Sequence, residues 1–341
     1  MTVKEIAELA SVSIGTVDRV LHKRGRVSVA TKEKIEHIIE KYQFVPNPIA
    51  RSLKQNRPYK ICVFLPRRDQ DAGYWGQVMD GIKPAIAELA PLGIVVEVVE
   101  FDRYGPGMFE AKAETVLKKE IDGLVFAPIM PQRTMPFVSR IHAKNIPYVF
   151  IDADIPGLNP LCTINQDSFR GGYLAGRLMH LMRGISDKPA AILNAHGGDY
   201  HITRRKEGFL SYTAEYGIPT ITREQFTEQS AELSDMEIVD FLKIHPEISG
   251  VFITNCFAYR VVQAARKIGR ERELIIIGYD LIPENRCLIK EGSINAVISQ
   301  RPEYQGRESL MNLFRFLVLG QKIPEKIEIP LDVFIKENII D

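Results

Sequence analysis

From Tyr59 onward the chain alternates short apolar runs with longer segments of helical spacing, and no other feature restricts its fold as much. The runs "KICVFL", "IVVEVVEF", "DGLVFAP", "PYVFID", "LCTI", "AAILNA", "ITREQF", "GVFIT" and "ELIIIGYD" are all of strand length. Helical stretches separate them, the first three near 75–92, 106–119 and 133–144. Strands buried on both faces read as continuous apolar runs, and parallel strands need such crossovers between them. The expectation is an α/β body of parallel sheets with helices on both faces. Roughly 280 residues exceed one comfortable core, so two lobes are expected.

The first 60 residues have a different character. They carry 12 Lys and Arg against 6 Asp and Glu, a net +6, whereas the remainder carries −5 and the whole chain +1. A basic head on a mildly acidic body suggests a polyanionic partner for the head. Thr2 and Glu5 form a capping box ahead of Val3, Ile6, Ala7 and Ala10, which share one helical face. After "SVS", Ser13 can cap a second helix running to about Leu21, with Val17, Val20 and Leu21 as its buried stripe. A third helix from Ser28 or Thr31 would bury Ile35, Ile38, Ile39 and Tyr42.

Helix, three-residue turn and helix is the arrangement that offers its second helix to the major groove of DNA. The outward stripe there is Ile14, Gly15, Asp18, Arg19 and His22. Arg19 can bond guanine bidentately, and Ile14 can meet a thymine methyl. Ser13 and Thr16 are placed to reach phosphates, and Lys23, Arg24 and Arg26 to neutralise them. The alternative for the same residues is a small protein-docking module with a solvated basic loop.

Between head and body, Asn47 is an N-cap and Pro48 suits the first helical position. Ala50, Arg51, Leu53 and Lys54 then continue without a breaker until Asn56 and Pro58. Two turns of helix are not stable alone in water, so Leu53 needs something to bury itself against.

The stretch "VKEIAELASVSIGTVDRVLHKRGRVSVATKEKIEHIIEKYQFVPNPIARSL" resembles the DNA-binding head and hinge of the LacI/GalR family of bacterial transcription regulators. The resemblance implies that the hinge folds in the minor groove when two copies meet on a palindromic operator. Leu53 would then wedge between base steps, small Ala50 would allow close approach, and Arg51 and Lys54 would supply positive charge. Asp18 stands where family members usually have serine, which leaves operator choice open at that position.

In the body, residues just past strand ends are the candidates for a ligand site, because ligands of open α/β sheets sit beyond the strand carboxyl ends. Tyr74 and Trp75 follow the first strand, Arg205 lies in an R-x-x-G-F pattern, and Asn255 and Asp280 follow later strands. A guanidinium, a carboxylate and an aromatic face together suit a small polyhydroxylated molecule. These segments are also similar to the periplasmic-binding-protein-like body of LacI/GalR regulators. That match implies effector contacts at Arg205, Asn255 and Asp280, with Asp167 at or near the pocket and Gln300 in the segment that switches sheets. Cys256 departs from the usual aspartate.

The expected organisation is a helix-turn-helix domain at 1–45, a hinge helix at 46–58, and an effector-binding and dimerisation domain at 59–341. Its first lobe is expected to comprise about 59–160 plus 292–320, and its second about 161–291 plus 321–341. Four scattered cysteines form no CxxC pair, so reduced thiols and no metal site are expected. No cofactor loop or catalytic nucleophile stands out, "HGGD" at His196 to Asp199 has no ligand spacing, and the small residues of "RGGYLAG" suit close helix packing. No apolar run is long enough to span a membrane, and Glu5 and Glu8 stand where a secretory leader would be apolar. The expectation is a cytoplasmic homodimeric repressor of carbohydrate metabolism genes, not an enzyme, that binds operator DNA under control of a sugar-like effector. A sugar receptor without regulatory function and a regulator answering a protein partner are its rivals.

Overall fold

The computed structural model describes residues 1–21, 24–42, 44, 57–195, 198–224 and 231–340. The chain forms two compact units, Met1–Asn56 and Arg57–Asp341. Of the expected DNA contacts, His22, Lys23, Asn47, Ala50, Arg51, Leu53 and Lys54 lie outside the described residues, and most of the expected hinge helix with them.

The first unit contains α1 (Val3–Ala10), α2 (Ile14–Leu21) and α3 (Val29–Lys41). The Thr2–Glu5 capping box starts α1, and the left-handed backbone of Ser11 ends it. Ser13 Oγ accepts from the backbone N–H of Thr16 at the start of α2. Ile6, Ala7, Ala10, Val17, Val20, Ile35 and Ile38 form one small core, with Leu21, Ile39 and Phe44 packed at its edge. Tyr42, expected inside, is 47% exposed. It stands at the C-cap of α3, where the chain has left the helical path that would have carried its ring inward.

The second unit alternates strongly. In chain order it runs β1 (Tyr59–Pro66), α4 (Tyr74–Leu89), β2 (Ile94–Phe101), α5 (Met108–Leu117), β3 (Gly123–Phe126), α6 (Pro131–Ala143), β4 (Tyr148–Ile151), β5 (Cys162–Asn165) and α7 (Ser168–Arg183). It continues with β6 (Ala190–Asn194), α8 (Tyr200–Glu215), β7 (Thr220–Glu224), α9 (Ala231–Ile244), β8 (Gly250–Ile253), α10 (Ala258–Lys267) and β9 (Ile275–Tyr279). The last elements are α11 (Pro283–Glu291), β10 (Ala296–Ser299), α12 (Pro302–Leu317), β11 (Lys326–Glu328) and β12 (Asp332–Phe334).

Two six-stranded sheets result, ordered β11-β5-β4-β3-β1-β2 and β12-β10-β9-β8-β6-β7. Every pairing is parallel except β10 with β12. Strand order reverses at β1/β3 in one sheet and at β6/β8 in the other, which leaves a crevice at each switch point. Phe64, Phe101, Phe109, Phe126 and Phe137 interlock in the first lobe, and Phe209 stacks on Phe252 in the second.

The lobe boundaries differ from those expected at three places. The strand β5 belongs to the first sheet, so that lobe continues past residue 160; β10 belongs to the second sheet, so residues from 292 through Ser299 are not in the first. Residues 321–341 are divided, with β11 in the first sheet and β12 in the second. An apolar run announces a strand but carries no mark of which sheet will take it, because that depends on the partner strand. The chain therefore crosses between lobes three times, and one side chain ties the crossings together. The buried amide of Gln166 donates to the carbonyls of Ser299 at 2.6 Å and Pro330 at 2.7 Å.

Candidate effector site and DNA-reading surface

On the first unit, Val17 and Val20 anchor α2 and leave its other face outward. Ile14 is 48% exposed, Ser13, Gly15, Asp18 and Arg19 are exposed on the same element, and Arg26 is exposed just beyond it. Ser13 and Thr16 also bond each other through their hydroxyls at 3.0 Å, so they hold the start of the helix as well as facing outward. An exposed isoleucine at the start of a helix and an exposed arginine in its last turn have the chemistry that base readout uses.

In the second unit, the loops past β1, β2, β3, β4, β6, β8, β9 and β10 converge on one cavity between the lobes. Asp71, Tyr74, Trp75, Arg103, Ile129 and Asp152 line it from one lobe, and Asp199, His201, Ile202, Arg205, Asn255, Cys256, Asp280 and Gln300 from the other side and the crossover. With the lobes as they stand its cavity volume is about 30 Å³, room for a water or two, so a larger ligand enters only as the lobes part. Six of the seven expected effector residues are therefore brought together. The seventh, Asp167, is not among the lining residues. It sits at the N-cap of α7, where its carboxylate accepts the backbone N–H of Arg170 at 3.0 Å, so its chemistry is that of a helix cap.

The lobes meet through direct bonds. Arg103 reaches from the first lobe to Asp199 of the second at 2.6 Å while holding Asp71 at 2.8 Å, and all three side chains are buried. Gln77 donates to the carbonyl of Leu281, and His201 faces Asp152 at 3.7 Å. Cys256, at the position where the sequence departs from the family pattern, donates its thiol to the Asp71 carbonyl at 3.2 Å. Burial raises that thiol well above its usual range, which keeps it protonated and able to donate.

Arg205 is 1% exposed. Its guanidinium lies 3.6 Å over the Tyr279 ring and gives one N–H to the Thr254 carbonyl. Its Nε and Nη2 have no protein partner, nor do Asn255 Nδ2 and Gln300 Oε1. Buried polar groups are ordinarily paired, so these four atoms leave hydrogen-bonding capacity open at the cavity. Tyr74 donates to Asp152 at 2.6 Å, and Trp75 Nε1 donates to Asp71 at 2.6 Å, so both aromatic rings are fixed by carboxylates. Asp280 accepts from Gln300 at 3.0 Å, and Asn285 bonds the carbonyls of Cys256, Tyr279 and Asp280 to shape that loop.

Burial pushes the Asp280 carboxyl up to about 7, against the pull of Arg205 and the Gln300 hydrogen bond. Burial likewise raises Asp152, with Arg205 and Tyr74 opposing. The sign of the pH effect follows. An exposed Asp280 would release its proton near 3.8, whereas the folded protein holds it to about 7, so this carboxyl's contribution to stability is present in acid and falls away as pH rises toward 7. The melting temperature of Asp280→Asn should therefore lose part of the wild-type decline between pH 5.5 and 7.5. Parallel wild-type and variant curves would contradict this.

Arg103, Asp71 and Asp152 are lining residues that were not expected, and Asp199 and His201 were weighed only for acid–base or metal chemistry and set aside. Asp152 closes "PYVFID" directly after a strand, and Asp199 and His201 follow "AAILNA", so the strand-end rule was able to find those three. Arg103 stands two residues past "IVVEVVEF" and obeys the same rule, although nothing in its loop named the carboxylates it would join.

Comparison with known proteins decides the family. A profile described as "Bacterial regulatory proteins, lacI family" matches residues 2–47, and one described as "Periplasmic binding protein domain" matches residues 61–322. The chain belongs to the LacI family of bacterial regulatory proteins. It is 29% identical over 288 residues to the HTH-type transcriptional regulator DegA of Bacillus subtilis, covering 82% of this chain and 81% of DegA. It is 25% identical over 351 residues to the HTH-type transcriptional repressor PurR of Yersinia pestis, covering 100% and 97%. A crystal structure assigned to a LacI transcriptional regulator of Bacteroides fragilis superimposes with a TM-score of 0.77 at 27% identity, covering 83% of this chain and 98% of that one. The fold is shared as well with GanP, a glucose-galactose binding protein of Geobacillus stearothermophilus, with a TM-score of 0.75 at 24% identity over 83% of this chain and 99% of GanP. As a LacI-family member the chain is a DNA-binding transcriptional regulator with an effector-binding body, and its named relatives are regulators, not enzymes. Among the described residues, no helix is long and apolar enough to cross a membrane.

Proposed function

We propose that this protein is a cytoplasmic repressor of carbohydrate metabolism genes that binds a palindromic operator as a homodimer and takes a sugar-like effector in the cleft between its lobes. The observation that carries this reading is the set of buried, unpaired donors and acceptors on Arg205, Asn255 and Gln300, beside carboxylates and two aromatic rings. Directional bonds to several hydroxyls with an aromatic cover are what a polyol requires. On the DNA side, Ser13, Ile14, Gly15, Thr16, Asp18 and Arg19 face the major groove, and His22, Lys23 and Arg26 follow the backbone. Asn47, Ala50, Arg51, Leu53 and Lys54 form the hinge helix in the minor groove.

The effector acts by population shift. It favours one arrangement of the lobes by as much as it binds that arrangement better, and the lobes set the spacing of the two hinges. The test has two arms. A thermal-shift screen with mono- and disaccharides, followed by calorimetry, identifies a ligand; genomic fragments are then footprinted with and without it. Saturable sugar binding that changes operator occupancy supports the proposal, and footprints indifferent to every bound ligand would refute it. Within the same assay Leu53→Ala should weaken operator binding about tenfold, roughly 1.4 kcal/mol, with effector affinity unchanged. Unchanged operator affinity would remove the wedge from the mechanism.

A further inference from the structure

We infer that the ligand of the cleft is a polyhydroxylated molecule bearing a protonated amine, and that sugar acids and sugar phosphates are excluded from it. The inference rests on the reading of this cleft as the effector site and concerns what charge that effector carries.

Four carboxylates, Asp71, Asp152, Asp199 and Asp280, line the cavity, each 8% exposed or less. Among the described residues only two guanidiniums line it with them, Arg103 and Arg205, and His201 is the one further basic side chain. Arg103 places its terminal nitrogens on Asp71 and Asp199. Arg205 is then the guanidinium left opposite Asp152 and Asp280, and it is drawn aside onto the Tyr279 face and the Thr254 carbonyl. Asp280 takes its hydrogen bond from a neutral amide, and Asp152 takes one from a phenol. With all four carboxyls ionised and His201 protonated against Asp152, acid still exceeds base by one charge among the described lining residues.

The placement of these carboxylates costs backbone strain. Asp71, Asp152 and Asp280 have φ of 52°, 68° and 64°, a left-handed conformation that L-residues rarely adopt. Of the seven non-glycine residues with this backbone among the described residues, three are carboxylates that line this one cavity, and such backbone is held at binding sites by the structure around it. Burial raises the proton affinity of Asp152 and Asp280 while Arg205 opposes it, so negative charge on either is costly in this cavity unless a cation is brought to it. A further anion would meet that uncompensated charge in a water-poor space. An ammonium beside Asp152 and Asp280 supplies the missing cation. The ligand's hydroxyls meanwhile take the open donors of Arg205 and Asn255 and the open acceptor of Gln300.

The experiment uses the full-length protein at pH 7.5 and a paired panel. D-glucose, D-galactose and D-mannose are each tested beside the 2-amino, 6-phospho and uronic-acid derivative, by thermal shift and then calorimetry. At least one amino sugar should bind tenfold or more tightly than its parent, and the phosphates and acids should not bind. Asp152→Asn and Asp280→Asn, which keep side-chain volume, should bring the ratio of amino sugar to parent affinity toward one. Parent sugars that bind as well as their amino derivatives, or Asn variants that keep the preference, overturn this inference while leaving the sugar-effector reading intact. Tightest binding by a phosphate or an acid overturns it too, and directs attention to the cleft mouth lined by Arg133. Binding by no member of the panel overturns both readings.

Discussion

Arg205→Lys is expected to fold normally and to lose effector affinity by roughly 100-fold, read by calorimetry with the tightest ligand of the carbohydrate panel. Arginine at this position does three things at once. Its plane lies on Tyr279, one nitrogen holds the Thr254 carbonyl, and two nitrogens remain for a ligand. Lysine keeps the positive charge but is a point donor without a plane, so it cannot hold the carbonyl and present a fork to hydroxyls together. Two lost hydrogen bonds to a charged group, each about 1.5 kcal/mol, give about 3 kcal/mol or a factor near 100. Arg205→Ala is the less informative variant. It would leave Asp152 and Asp280 buried without their guanidinium, and removing one partner of a buried charge set costs about 3–5 kcal/mol in stability by itself. The operator affinity of effector-free Arg205→Lys should equal that of wild type. Retained wild-type effector affinity would move the site away from this guanidinium.

Gly172→Ala should destabilise the body by about 3 kcal/mol, near the upper end for overpacking. A Cβ at Gly172 would lie 1.8 Å from the Arg205 carbonyl oxygen and 2.6 Å from its carbon. Across the same crossing, a Cβ at Gly208 would lie 1.9 Å from the Phe169 carbonyl oxygen. The helices α7 and α8 thus touch backbone to backbone, and no rotamer can relieve a methyl there. They must separate, and the backbone that moves is Arg205's own. The variant should therefore melt roughly 5–10 °C lower and bind effector more weakly, two losses from one cause. Gly198→Ala is the control, because a Cβ at Gly198 meets nothing within 4 Å. A Gly172→Ala protein with wild-type melting would show that the two helices are not held so closely.

That crossing also shows how much the sequence carried. The small residues of "RGGYLAG" announced close helix packing, and Gly171, Gly172, Ala175 and Gly176 are all buried. They did not announce the partner, because closeness is written in one segment and the surface it meets in another. Tyr74, Trp75, Arg205, Asn255 and Asp280 were legible for a simple reason: each follows a strand or its loop, and parallel strands deliver their carboxyl ends to one crevice. Asp167 obeyed the same rule and yet serves as a cap, since a strand-end aspartate before a helix satisfies either role equally well. Arg103 also follows a strand end, but its pairing was beyond reach. It joins the site only because closure of the lobes brings Asp199 to it from 96 positions away in the chain.

Local chemistry by itself determined the two units, the three short helices of the head, the alternation of strand and helix, and six of the fourteen side chains that line the cleft. Those properties arise from periodicity, capping and strand direction, all of which act within a few residues. Tertiary structure decided which sheet took β5, β10 and β11, how Gln166 binds the crossings together, and how four carboxylates came to share two guanidiniums. These depend on groups distant in sequence meeting away from water, where pairing and unpaired charge weigh far more than they do along an extended chain.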